Sequence, residues 1–374
     1  MTLKFEKIGK YLRLSNDTNT NLDLSRVRGV SITKQLIKTK ANMKDVDISD
    51  YKVVHKGQFV FNPNTARMGE KIPIAMNTGD DVLVSKIYPV FEVIDPTVLL
   101  PEYLFLWFKR PDFDRYARFH SWGSARETFD WEEMCEVEIP LPDLSVQEDI
   151  VKFYLNLSQN QNNCEKGIKL LEDTCLAFMA EESRGTNFKL LGPYIEEIVS
   201  VDHNLDVSRV RGVSITKKLI KTKANMQDVD ISDYKTLRTR EFVFISVTSR
   251  NGEKISVALN DEDDVLVSKT YIVFKVKKID ELLPEYLLLW FKRPEFDRYA
   301  RFHSWGSARE TFNWENMCSV SLPIPSLANQ EAIVNIFRAL EKRKEMNQII
   351  LDMLNTFPPT IMQGVRSGLV KSVR

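Results

Sequence analysis

The sequence lacks several features that would place it in a familiar class at once. No apolar run approaches the ~18 residues that a membrane-spanning helix needs, and the start, MTLKFEKIGKYLRLS, has no apolar signal core. These absences predict a soluble, cytoplasmic protein without a membrane partner. With 52 basic and 52 acidic residues the net charge is zero. A nucleic-acid ligand would therefore require locally grouped cations, or a second subunit that supplies part of the grip.

The common motifs of catalysis and cofactor binding are also missing. There is no G-x-x-x-x-G-K-[ST], G-x-G-x-x-G, G-x-S-x-G or H-E-x-x-H. The four cysteines have neither C-x-x-C nor zinc-ligand spacing, so we expect small, buried apolar groups. His120 and His303 lie outside any catalytic pattern and are either helix-end residues or contacts to phosphate or base. The sequence predicts no metal, no cofactor and no enzymatic activity.

What the sequence does contain is a long internal repeat. Residues 25–142 recur at 208–325 with a constant offset of 183, and 84 of the 118 paired positions are identical. Solenoids repeat every ~20–50 residues, so this period indicates duplicated domains instead. Two copies of one module predict a protein that binds a two-part, roughly symmetric target.

Each copy changes from a strand-rich to a helical pattern. Pro101 favours the start of a helix and Pro111 a break or kink, and the preceding strands are predicted at 58–62, 71–76, 81–85 and 88–94. From Ser145, which with Glu148 resembles a capping box, apolar residues follow helical steps of three, four and seven. The second copy of this helix is predicted to stop at Pro358–Pro359.

Each long helix would span on the order of 50 Å, and its apolar stripe needs a partner. We expect that partner to be the other long helix; packing on its own globular domain is the alternative. The predicted contact residues are Ile150, Leu157, Ile168 and Leu171 on the first helix and Ile333, Leu340, Ile350 and Leu354 on the second.

Basic residues interleaved with aromatic, hydroxyl and glycine residues recur in both copies. Arginine can read guanine edges or bind phosphate, and hydroxyls and backbone N–H groups bind phosphate oxygens. Arg67 and Arg126 are the base-reading candidates, and solvated surface charge is the alternative. The DNA-contact candidates are Thr65, Arg67, Lys86, Arg115, Arg118, Ser124, Arg126 and Thr128, with the copies Thr248, Arg250, Lys269, Arg298, Arg301, Ser307, Arg309 and Thr311.

These motifs, in this order, resemble the specificity (S) subunits of type I restriction-modification systems. The resemblance rests on QFVFNPNTARMGEK, DVLVSKIYPVF, PEYLFLWFKRP and GSARETFDWEEMCEVEIPLPDLSVQEDI, and it covers essentially the whole chain. It implies an α+β protein with two duplicated α/β target recognition domains at 1–142 and 186–325. Two antiparallel spacer helices at 143–185 and 326–374 would form a coiled coil and give pseudo-two-fold symmetry.

The resemblance also implies partners and a division of labour. Double-stranded DNA and two adenine-N6 methyltransferase subunits would bind this chain, with restriction (nuclease/translocase) subunits as further members. S-adenosylmethionine would bind the methyltransferase subunit rather than this chain, which would be non-catalytic. A protein-binding adaptor that does not touch DNA, and an enzyme with two equivalent sites, are the competing hypotheses.

One departure from the family concerns the near identity of the two domains, since members usually pair dissimilar ones. The target is therefore expected to be a near-palindrome with a spacer. Between Lys52 and Asp81, however, only 14 of 30 positions match. Either the half-sites differ slightly, or these segments do not read DNA.

Overall fold

The computed structural model describes residues 5–367 apart from 40, 45, 67–68, 124–126, 185–187, 202–203, 223, 228, 250–253 and 307–308. The chain forms two compact units. Unit 1 comprises Met1–Cys164 and Met346–Arg374, and unit 2 comprises Glu165–Glu345. Each unit combines one copy of the repeat with parts of two long helices, so neither long helix belongs to a single unit.

Unit 1 is built from short strands followed by short helices. Its strands are β1 (Phe5–Lys7), β2 (Leu12–Ser15), β3 (Arg28–Val30), β4 (Leu36–Lys38), β5 (Lys52–Val54), β6 (Phe59–Phe61), β7 (Ile74–Met76), β8 (Val82–Val84), β9 (Val90–Val93) and β10 (Glu138–Pro140). Its short helices are α1 (Pro101–Phe108), α2 (Pro111–Phe119) and α3 (Trp131–Cys135), and the first long helix, α4 (Leu144–Arg184), starts here.

Unit 2 repeats this order of elements. Its strands are β11 (Phe188–Leu190), β12 (Ile195–Ile198), β13 (Arg211–Val213), β14 (Leu219–Lys221), β15 (Lys235–Leu237), β16 (Phe242–Phe244), β17 (Val257–Leu259), β18 (Val265–Val267), β19 (Ile272–Val276) and β20 (Ser321–Pro323). Its short helices are α5 (Pro284–Phe291), α6 (Pro294–Phe302) and α7 (Trp314–Cys318), and the second long helix, α8 (Leu327–Arg366), starts here.

An aromatic core sits between a four-stranded antiparallel sheet and the first helix of each unit. The strand order is β2-β9-β6-β7 in unit 1 and β12-β19-β16-β17 in unit 2. Phe59 stacks on Phe91 with ring centroids 5.1 Å apart, and Phe108 of α1 meets Phe59 edge-on at 5.8 Å. All three rings are fully buried, and each buried aromatic contributes a large apolar area to the core. The remaining described strands pair as β1–β10, β3–β4 and β5–β8, with their unit 2 counterparts.

The predicted helix break at Pro111 is confirmed. Arg110 has extended backbone between α1 and α2, as expected for a residue that precedes proline. Each proline occupies the first position of its helix, where its missing N–H costs no hydrogen bond.

Two predictions about the ends of the long helices are wrong. Helix α4 begins at Leu144, and the Asp143 carbonyl accepts from the N–H groups of Val146 and Gln147. Ser145 therefore lies inside the helix rather than at its cap. Helix α8 continues through Pro358 and Pro359 to Arg366. Proline inside a helix removes hydrogen bonds at a cost of ~3 kcal/mol or more, but the last turns bury Met362 and Val365 in the core of unit 1.

The long helices use both partners that the sequence analysis considered. Ile150 of α4 packs into the core of unit 1 and Ile333 of α8 into that of unit 2. Leu340 is also buried, whereas the predicted contact residues Leu157, Ile168, Leu171, Ile350 and Leu354 are half-buried.

Within each unit the two helices also contact each other, and in unit 2 their contacts follow an antiparallel order. In unit 1 Phe153 stacks on Phe357 at 5.0 Å. In unit 2 the Lys344 ammonium lies 2.7 Å from a Glu172 carboxylate oxygen, and the Asn329 amide donates to Glu182 at 3.2 Å.

A buried ion pair fastens the loop that precedes β7. Lys34, in the left-handed backbone region with a φ of 62°, donates to the Ile72 carbonyl at 2.8 Å and pairs with Asp114 of α2. One Asp114 oxygen also accepts from the Ile72 N–H at 3.1 Å. Burial lowers the pKa of Lys34 and the Asp114 charge partly opposes this shift. Unit 2 has the same arrangement in Lys217, Ile255 and Asp297.

We predict that Asp114→Ala destabilises unit 1 by about 3–5 kcal/mol, because it leaves a buried ammonium and the Ile72 N–H without their partner. Hydrogen exchange should show faster exchange at Ile72 while Ile255 of unit 2 stays protected. Asp50→Ala, which removes only the exposed partner of Lys86, is the control and should change little. Equal protection at Ile72 in the wild type and in Asp114→Ala would contradict the prediction.

Candidate nucleic-acid interface

Two of the predicted DNA-contact segments meet in each unit. Strands β6 and β7 pair as a hairpin whose long loop spans residues 62–73. The Thr65 N–H donates to the Glu127 carbonyl at 3.0 Å, and the Phe129 N–H donates to the Pro63 carbonyl at 2.8 Å. The hairpin loop is therefore held against the segment that follows α2. In unit 2, Thr248 and Glu310 make the same backbone contact at 3.0 Å.

The segment after α2 folds back as a tight turn. Trp122 and Thr128 exchange two backbone hydrogen bonds of 3.0 and 2.9 Å. Glycine is required at the bend: Gly123 has a φ of 132° and Gly306 a φ of 143°. A Cβ on Gly306 would lie 2.1 Å from the Arg309 carbonyl oxygen. The turn is consequently held closed at its base by these backbone hydrogen bonds.

Two aromatic residues beside this turn are exposed, which the sequence analysis did not predict. Phe119 is 76% exposed and Trp122 65%, and their copies Phe302 and Trp305 are 73% and 68% exposed. Single exposed apolar residues need no explanation, but neighbouring large ones often mark an interaction site. Phe119 is the last residue of helix α2 and does not belong to the buried face formed by Phe113, Asp114 and Ala117. The helical periodicity of the sequence could therefore have predicted that Phe119 is exposed.

Six of the predicted cations are exposed and lie beside carboxylates. Lys86 pairs with Asp50 at 2.9 Å, and a hydrogen bond to that carboxylate raises the pKa of Lys86. Arg115 pairs with Asp112 and Arg118 with Glu127. The unit 2 copies Lys269, Arg298 and Arg301 pair in the same way with Asp233, Glu295 and Glu310. Exposed pairs contribute little to stability, so a phosphate can replace the carboxylate at small cost.

The other predicted residues divide into three groups. Thr65 and Thr248 are buried, and their hydroxyls donate to the carbonyls of Glu127 and Glu310 at 3.2 Å. Thr128 and Thr311 are half-buried, and Arg309 is exposed. Arg67, Ser124, Arg126, Arg250 and Ser307 lie outside the described residues. The assignment of all these residues to DNA stays a prediction.

The histidines and cysteines form no reactive constellation in the described part of the chain. His120 is the C-terminal cap of α2, stacks on Tyr116 at 4.2 Å and lies 3.1 Å from a Glu133 oxygen. The four cysteines are half-buried rather than fully buried, and burial raises the pKa of the Cys135, Cys175 and Cys318 thiols. Among the described residues no group of side chains could hold a metal ion, and no described helix is long and apolar enough to cross a membrane.

Comparison with known proteins gives this surface a context. Residues 214–356 match the family profile for the type I restriction modification DNA specificity domain. A solved type I restriction-modification S subunit from M. genitalium has the same fold, with a TM-score of 0.62, 10% identity, and coverage of 98% of this chain and 99% of that chain. The HsdS subunit from Thermoanaerobacter tengcongensis aligns with a TM-score of 0.44 and 14% identity, covering 98% and 97%. No curated protein sequence matches the chain.

The chain therefore has a mixed α/β fold like that of the solved S subunit. Within it, residues 214–356 match a type I restriction modification DNA specificity domain. The family resemblance of the sequence is thereby confirmed.

We predict that Gly306→Ala opens the turn of unit 2. Alanine at this φ adds strain of about 1–3 kcal/mol, and its Cβ collides with the Arg309 carbonyl. Hydrogen exchange should become faster at Trp305 and Thr311 but not at Trp122 and Thr128. Gly212→Ala is the matched control, since a Cβ there meets Ile220 at an ordinary 3.6 Å. The same protection in Gly306→Ala as in that control would refute the role of the glycine.

Proposed function

We propose that this chain reads a bipartite DNA site and holds the methyltransferase subunits that modify it. The observation that carries the proposal is the surface formed by the β6–β7 hairpin and the Trp122 turn, which recurs in unit 2 within the matched specificity domain. Exposed cations and aromatic residues flank this surface in both units. Such a surface suits the grooves and phosphates of double-stranded DNA better than it suits a small-molecule substrate.

Each globular part, at residues 1–142 and 186–325, is proposed to read one half-site. Arg67 and Arg126, with Arg250 and Arg309, would read base edges, because bidentate arginine contacts discriminate guanine. Lys86, Arg115, Arg118, Ser124 and Thr128, with their copies, would position the domain on phosphates. For the buried Thr65 and Thr248 we propose a supporting role, in which their hydroxyls hold the hairpin against the turn.

The two half-sites are proposed to be similar and inverted, separated by a spacer. Near identity of the units supports similar half-sites, since 84 of 118 paired positions agree. The antiparallel order of the helix contacts in unit 2 supports inverted half-sites. Helices 143–185 and 326–374 would then act as a coiled-coil ruler.

The chemistry in this proposal belongs to partner subunits. Two adenine-N6 methyltransferase subunits, carrying S-adenosylmethionine, would dock on this chain, and restriction subunits could join the same cytoplasmic complex. The zero net charge supports shared DNA binding, because a chain that holds DNA alone usually carries a basic excess.

The ruler gives a prediction about spacer length. Inserting one heptad into both α4 and α8 adds about 10 Å to each helix, which corresponds to roughly three base pairs of DNA at 3.4 Å each. The preferred spacer should lengthen accordingly in the methylome of cells that express this chain with its methyltransferase. Two Ala substitutions at exposed helix positions, which leave the length of both helices unchanged, are the control. An unaltered spacer would exclude the ruler.

Base reading gives a second prediction. Arg67→Ala should weaken binding by ~1–3 kcal/mol and relax one base in one half-site, and Arg250→Ala should relax the corresponding base in the other. Lys86→Ala is the control, because loss of a phosphate contact should weaken all sequences alike. Affinity measurements with base-substituted duplexes separate the two patterns. Unchanged affinity and specificity in Arg67→Ala would remove it from the reading surface.

A further inference from the structure

Unit 2 contains a groove between the ends of its sheet strands and the first half of α8. The cavity volume is about 720 Å³. Arg240, Asp261 and Glu262 line one side, and Arg338, Glu341 and Lys342 of α8 line the other. A volume of this size can hold several residues of an extended polypeptide. None of the described residues of the Trp305 turn lines the groove.

Arg240, at the rim of this groove, has an unusual backbone conformation. Its φ is 66°, in the left-handed region, and the equivalent residue of unit 1 is Gly57 with a φ of 87°. Glycine adopts this conformation freely, whereas a residue with a Cβ incurs steric strain in it. A strained arginine in place of glycine points to a function for its side chain.

The arginine shares a half-buried carboxylate with a second arginine, and another ion pair lies in the same groove. Its guanidinium lies 3.0 Å from Glu285, which Arg338 also approaches at 3.7 Å, and Lys218 pairs with Glu341 at 3.4 Å. One carboxylate thus serves two guanidinium groups, leaving both with unused hydrogen-bond donors. The network lies at the surface, where partner groups can reach it.

Lys292, a half-buried residue, also lines the groove. Its ammonium lies 4.3 Å from the centre of the Phe337 ring, and burial lowers its pKa. In unit 1 the equivalent Lys109 donates to the Tyr154 hydroxyl at 2.6 Å. Phenylalanine in place of tyrosine removes that acceptor from the groove of unit 2.

The two copies differ in charge along this groove. Arg240, Arg338, Glu341 and Lys342 stand where the first copy has Gly57, Leu155, Ser158 and Gln159. Asp261 and Glu262 likewise stand where it has Thr78 and Gly79. Part of the divergent segment 52–81 therefore corresponds to this groove rather than to the hairpin loop.

We propose that this groove docks a polypeptide segment of mixed charge from a methyltransferase subunit, and that it holds one of the two subunits more tightly than the other. Cations and carboxylates in similar numbers line it, which fits a segment carrying both signs better than a nucleic acid or a small anion. Because the first copy lacks these charges, the affinity for a methyltransferase subunit differs between the two units. Only the affinity of unit 2 depends strongly on the salt concentration. This inference rests on the proposed methyltransferase scaffold.

The duplication supplies the test variants. Arg240→Gly, Arg338→Leu, Glu341→Ser and Lys342→Gln, combined, replace four charged groove residues of unit 2 by the uncharged residues of unit 1. Gly57→Arg, Leu155→Arg, Ser158→Glu and Gln159→Lys give the reverse exchange. The full-length chain is titrated with its methyltransferase subunit at low and high NaCl, and the stoichiometry is read by native mass spectrometry beside the melting temperature.

For the wild type we expect two binding steps whose affinities differ by about tenfold at low salt and converge at high salt. The first variant should weaken the tighter step about tenfold and keep the melting temperature, and the reverse exchange should make both steps tight and salt-sensitive. Equal loss at both steps, no loss at either, or a lowered melting temperature with unchanged binding would overturn the inference. Failure of the wild type to bind any methyltransferase subunit would instead refute the scaffold, and the inference with it.

Discussion

The structure depends on the two long helices, each of which contributes residues to the cores of both units. Helix α4 starts in unit 1 and ends in unit 2, and α8 runs the other way. Each unit buries apolar residues from both helices: Val146, Ile150, Met362 and Val365 in unit 1, and Met179, Ile333 and Val334 in unit 2. Each core therefore includes residues from both long helices, and one of these helices begins in the other unit.

The candidate interface is held in place by buried and backbone interactions at the base of its hairpin loop. The buried pair of Lys34 and Asp114 secures the end of the hairpin loop, and backbone hydrogen bonds around Thr65 secure its start. A surface fixed in this way loses little conformational entropy when a ligand binds, and preorganisation of this kind favours affinity. The exposed cations pair with exposed carboxylates, and because such pairs contribute little to stability a phosphate can displace the carboxylate.

Much of the fold could be predicted from local sequence. Apolar, β-rich runs between turn residues marked several of the strands, Pro101 marked a helix start and Pro111 marked a helix break, because their effects are local. The end of α8 could not be predicted in the same way. The pair Pro358–Pro359 stops a helix on local grounds, but burial of Met362 and Val365 in a core formed by residues far away in sequence keeps this one intact.

The candidate site was likewise predictable where local sequence determines it and not where tertiary contacts do. The hairpin and the glycine turn were visible as motifs, whereas their contact through Thr65 and Glu127 depends on tertiary structure. The left-handed Arg240 was not predictable at all, since nothing local distinguishes it from an ordinary arginine. It becomes conspicuous only when its φ is compared with that of Gly57.

The sharing of α8 has a consequence for synthesis on the ribosome. The core of unit 1 joins Ile8 to Val365, whereas every residue of unit 2 lies between Glu165 and Glu345. Because domains generally fold as their residues emerge during translation, the second half of the duplication can complete its core before the first. Unit 1 must wait, with Met362 and Val365 missing from its core, until nearly the whole chain has been made.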